Sequence, residues 1–144
     1  PDAAATQLNI ATRASVGSAQ DSVMIAGFTV IGDKPQTVLI RAQGPGVGLP
    51  AGTRALPNPI FAVLETFPNT VSLHQNDDWG DPENNVAEIL LVAAIVNSQG
   101  YVAGSTNSAM VVDLQPNRVY SVIVSGAAGE SGVALVEVFA PTDL

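Results

Sequence analysis

Residues 22–45 read SVMIAGFTVIGDKPQTVLIRAQGP, and their pattern decides the fold class. Residues 23–31 form a run of β-favouring side chains, cut by Gly32, Asp33, Lys34 and Pro35. Residues 37–43 form a second run, stopped by Gly44, Pro45 and Gly46. Two apolar runs around a short Gly/Asp/Pro turn predict a β-hairpin. Side chains alternate along a strand, so Met24, Ala26, Phe28 and Val30 share one face, as do Val38, Ile40 and Ala42 of the second run. The rest of the chain reads as strands added around this pair.

Upstream, residues 6–14 alternate, with Thr6, Leu8, Ile10, Thr12 and Ala14 on one side, as in a half-buried strand. Downstream, residues 44–58 are a Gly/Pro-rich loop. Residues 60–67 and 70–76 predict a second hairpin across Pro68 and Asn69. Asp81 followed by Pro82 is a helix start: a side-chain acceptor at the cap, then a residue with preset φ and no amide proton to satisfy. A short helix over residues 82–92 follows, with a strand over 89–96 as the alternative. Glu88 is the only charge between Asn84 and Asn97, so this segment must be covered on nearly all sides. Three strands close the chain, over residues 108–114, 118–125 and 132–140. The last offers Val133, Leu135 and Phe139 on one face and Ala134, Val136, Val138 and Ala140 on the other. Such a strand is either central and covered or buried by another molecule. The sum is about eight strands with one short helix, an all-β antiparallel sandwich or jelly roll spanning residues 1–144 as one domain.

A chain of 144 residues can bury a proper core. Charged residues make up only 12% of it, about half the usual share, and the net charge is -8. That balance repels nucleic acid and anionic membranes, so neither is an expected partner. There is no cysteine, hence no disulfide framework or thiolate chemistry. The apolar run 86–96 is too short to cross a bilayer as a helix. The sequence opens on Pro1 rather than Met, which leads us to expect a processed chain or a fragment. Scarce Lys with abundant Ala, Val, Gly, Ser, Thr and Asn matches extracellular structural subunits. The expected location is therefore extracellular or cell-surface, after loss of a signal peptide.

The strongest concentration of chemistry is Asn76, Asp77, Asp78, Asp81 and Glu83, oxygen-bearing side chains of the kind Ca²⁺ gathers. The spacing does not match an EF-hand, because Gly80 is misplaced and no bidentate Glu closes the loop. The structural alternative is an Asx-rich turn that bonds its own backbone and caps the helix at Asp81. Trp79, the only Trp, would dock a sugar or a partner if exposed, or seal one end of the sandwich if folded back. His74, the only His, lacks a second His for zinc and a nucleophile elbow for a triad, and reads as a polar strand residue. Arg41, among apolar neighbours, calls for a carboxylate, with Glu65 and Glu137 as candidates. Gly44, Gly46 and Gly48 lack the Lys-Ser/Thr and the following helix of a phosphate cradle. No pair of carboxylates is marked for glycoside hydrolysis. The chain reads as noncatalytic.

Taken together, R-x-x-V-G at residues 13–17, MIAGFTVIG at 24–32, TVLIRAQGP at 37–45, NDDWGD at 76–81, AEI at 87–89 and SGVALVEVF at 131–139 resemble a β-sandwich module of bacterial exported, often surface-associated proteins. The resemblance covers most of residues 8–140. The acidic loop is also similar to that of prepeptidase C-terminal domains, which are secreted jelly rolls. The resemblance implies an exported sandwich without enzymatic activity, and a copy standing alone implies that the module itself is the product. We therefore expect a structural subunit that assembles with its own kind into an extracellular filament or surface layer. In that reading Leu8, Ile10 and Thr12 on the first strand are candidate subunit contacts, because an edge strand can complete a neighbour's sheet. The alternative is a calcium-stabilised module that binds a glycan or cell-surface ligand. Only seven aromatics (Phe28, Phe61, Phe67, Trp79, Tyr101, Tyr120 and Phe139) are available to such a site.

Overall fold

β-Branched and aromatic runs punctuated by Gly, Pro and Asn fold here into eight strands and one helix, in a computed structural model that describes residues 8–18, 22–46, 48–80, 86–96 and 105–141. In chain order these are β1 (Leu8–Val16), β2 (Met24–Val30), β3 (Gln36–Gln43), β4 (Pro59–Phe67), β5 (Val71–Asn76), α1 (Val86–Ile95), β6 (Ser108–Leu114), β7 (Arg118–Gly126) and β8 (Gly132–Ala140). They make two four-stranded sheets, ordered β1-β8-β3-β6 and β2-β7-β4-β5, with antiparallel pairing throughout. The result is an all-β sandwich.

The expected pairing of the first two apolar runs is corrected. β2 and β3 lie in different sheets, so Gly32 to Pro35 form an arch over the end of the sandwich rather than a hairpin turn. The reason lies in the burial each strand requires. From Val38 to Ala42 every side chain of β3 is buried, so β3 needs a central place with both faces covered. β2 alternates between buried and exposed, which suits an edge. The arch is held by Asn117, which takes a positive φ of 60° in the β6–β7 turn. Its backbone N–H donates to Val30 O at 2.6 Å and its side-chain Nδ2 to Gly32 O at 3.0 Å. The hairpin expected across Pro68 does form, joining β4 to β5 through a cis Phe67–Pro68 peptide.

Between the sheets lies the main core, built on Val38, Ile40, Phe61, Val63, Tyr120 and Val136 with their neighbours. A second core sits on the outer side of the first sheet, where α1 lays Ile89, Val92, Ala93 and Val96 over Leu39, Ala109 and Phe139. β8 is thus central and covered on both faces, as its two apolar faces require. Among the described residues the helix runs over Val86–Ile95, and the strand alternative for residues 89–96 is excluded. The cap proposed at Asp81 lies outside the described residues.

Between β3 and β4, Leu56 turns inward and is fully buried in the main core. Its N–H donates to Val133 O at 2.9 Å, Val133 N–H donates to Arg54 O at 2.9 Å, and Ala55 bridges Val133 in parallel. Three glycines make room for this plug. A Cβ on Gly44 would overlap the Leu56 carbonyl, one on Gly126 would meet Leu56 Cδ1 at 2.9 Å, and one on Gly132 would come within 2.5 Å of Leu56 N.

Candidate functional site

In the acidic loop the first question is where the side-chain oxygens point. Asn76, buried at the end of β5, accepts from Ala109 N–H at 3.0 Å through Oδ1 and donates through Nδ2 to Asp78 O at 3.2 Å. Its oxygen joins the second sheet to β6 of the first, and its nitrogen holds the loop that follows β5. With the Asn58 amide oriented so that its nitrogen faces the neighbouring acceptors, that nitrogen donates to Asp77 Oδ1 at 3.0 Å and to Thr106 O at 3.1 Å. Asn107, also buried, accepts from Gly44 N–H at 2.9 Å, donates to Pro45 O at 3.2 Å, and offers its own carbonyl to Trp79 N–H at 2.9 Å. Amide side chains among the described residues do for this loop what ladder bonds do for strands. Among the described residues no three acids or histidines converge. Asp81 and Glu83 lie outside those residues.

Trp79 is 5% exposed and packs into the second core with Ile89, Val92 and Phe139. Of the two readings of Trp79, the indole is folded back and buried rather than displayed, because against an apolar helix it buries more surface than a loop tip offers. His74 is half-buried on β5 opposite Val63. Arg41 does meet a carboxylate, with Nε 3.4 Å from Glu137 Oε1, while Glu65 pairs with Arg118 at 2.8 Å.

Burial pushes the Glu137 carboxyl above its ordinary value of 4.5, and the Arg41 guanidinium offsets only part of that rise. The folded protein therefore holds this proton more tightly than the unfolded chain. The resulting stabilisation is complete below the unfolded value and is lost as the pH climbs through the folded one. Relative to Glu137→Gln, the wild type should gain stability as the pH falls from neutrality through 4.5. Urea midpoints of the two proteins measured across that range check the sign.

The remaining chemistry is that of surfaces. In the second sheet, Met24, Phe61, Val63, Tyr120, Val122 and Val124 point into the core, so the alternate positions point out. Cross-strand partners align these in rows: Ile25–Ile123–Ala62 and Gly27–Ser121–Leu64, with Val119 beside Thr29 and Phe67. No outward position of β2, β4 or β7 carries a charge. Ile25 and Phe67 are both 59% exposed, and Ile60, Ala62, Leu64 and Ile123 are half-exposed. No helix or strand among the described residues packs on this face. On the opposite side of the molecule, α1 turns Leu90, Leu91 and Ile95 to solvent.

The sequence reading missed the first of these faces and placed the subunit contact on β1. β1 pairs with β8 of its own chain over nine residues and is an edge of the first sheet. Ile10 and Thr12 are exposed on it, and Leu8 stands opposite Ala140. The missed signal was available in PIFAVLETF, where Ile60, Ala62 and Leu64 alternate with Phe61 and Val63, giving β4 two apolar faces.

No known family model matches the chain, and no curated protein matches it significantly.

Proposed function

We propose that this chain is a noncatalytic structural subunit of an extracellular filament or surface assembly, joined to its neighbours through sheet-face and strand contacts. The observation that carries this reading is the uncharged apolar outer face of the second sheet. In a chain of net charge -8, copies repel one another over most of their surface. Here that repulsion has no local source. Three strands at ~4.8 Å spacing and six residues at ~3.4 Å give a footprint of roughly 300 Å², within the range of the largest surface patches of soluble proteins, which are often functional. The exposed leucines of α1 lie on the far side of the three layers, so stacking along the layer normal would propagate without closing.

Leu64→Lys and Ile123→Lys together test this. Both side chains are half-exposed on the outer face, so the fold should survive. Wild-type protein should form regular filaments or sheets in negative-stain electron microscopy, and the double variant should remain dispersed with an unchanged circular dichroism spectrum. Dispersed wild-type particles at every concentration would overturn the reading.

A further inference from the structure

We propose that the open side of the sandwich, where β2 and β1 form the edges of their sheets, pairs antiparallel with the same side of a second copy about a two-fold axis. This inference deepens the self-association reading above and rests on it. An edge strand presents a row of unpaired N–H and C=O groups, and proteins guard such rows with charges, prolines or bulges. Three of the four edges here are guarded. β5 has a bulge against Val63 and Leu64, β6 carries exposed Asp113, and β1 carries exposed Arg13. β2 has none of these: seven residues, MIAGFTV, in unbroken register with β7, without charge or proline.

A second observation points to the same side. Between the two sheets there opens an apolar slot of about 120 Å³, lined by Ile10, Phe28, Val30, Ile31, Val38 and Val138. Ile10 and Ile31 at its mouth are 44% and 83% exposed. A slot of this size holds about one aliphatic or benzyl group, which is too small for an extended ligand and right for a side chain from an apposed surface. An antiparallel pair of identical edges is self-complementary, so a second copy satisfies both halves of the site at once. It also keeps each inner face aligned with its partner's, which closes the two slots on each other. The charge-free edge is where copies of an acidic chain can approach.

The contact is small. Seven residues at ~3.4 Å along the edge, by a sandwich roughly 20 Å thick, give roughly 500 Å² per copy, below the ~800 Å² of a standard stable interface. The dimer should therefore dissociate on dilution. Half of the β2 amides point outward, and hydrogen exchange should show these becoming protected as protein concentration rises. In sedimentation equilibrium, Ile10→Lys with Ile31→Lys should weaken the dimer by more than about tenfold; Ile31→Lys alone, at a solvent-exposed site, should weaken it without touching the fold. Exchange at β2 that ignores concentration, or variants that dimerise as the wild type does, would overturn the inference. If wild-type filaments persist in that case, the self-association reading survives its loss. A wild type that is monomeric at every concentration removes both.

Discussion

Leu56→Ala should lower the unfolding free energy by about 3 kcal/mol. The side chain is fully buried in the main core although it comes from a loop. Its removal leaves a cavity in the main core, on the side where Leu56 Cδ1 lies against Gly126, which has no side chain to fill the space. Gly44→Ala should be at least as damaging, since the added methyl overlaps the Leu56 backbone carbonyl and the loop must lift away to admit it. Lifting it breaks the exchange of hydrogen bonds between residues 54–56 and Val133. Urea denaturation followed by circular dichroism measures both effects. A midpoint within error of wild type for Leu56→Ala would mean that the end of the sandwich seals without its plug.

Trp79→Ala should destabilise by about 3–5 kcal/mol. The indole is the largest member of the second core, and without it α1 loses one wall of its seat on the first sheet. The backbone bond from Trp79 N–H to Asn107 O survives the substitution, so the loss reads packing alone. Because this is the only Trp, its emission reports directly on that core. The native protein should emit at short wavelength and shift to the red when α1 detaches. A ring displayed for sugar stacking would behave oppositely, with long-wavelength emission in the folded state and little change in stability on truncation.

Alternation and turn residues made most of this fold legible. The three closing strands and the β4–β5 hairpin fall within a residue or two of the boundaries that Gly, Pro and Asn mark. Which strands pair was harder to read. A five-residue connection can turn back within a sheet or arch between two, and residues 31–35 look alike in either case. The deciding interactions, Asn117 with Val30 and Gly32, come from more than eighty residues away. The acidic loop shows the same limit: Asn76 offers the same oxygen to a cation as to Ala109 N–H, and only the packing of β5 near β6 assigns it to the latter. The β2 edge was in plain view as MIAGFTV, but its meaning depends on a neighbour being absent, which a linear pattern does not record.

The place of β8 sets a timetable for the chain. The last of the eight described strands inserts between β1 and β3, pairing with β1 over nine residues and with β3 from Leu39 to Gln43. Until it arrives, the first sheet is divided into β1 on one side and the β3–β6 pair on the other, with no strand joining them. Every contact between β1 and β8 spans more than a hundred residues, so its loop-closure cost falls at the final step. The first sheet stays unlocked until β8 has been made. That sheet becomes continuous only when this nine-residue strand is free to insert.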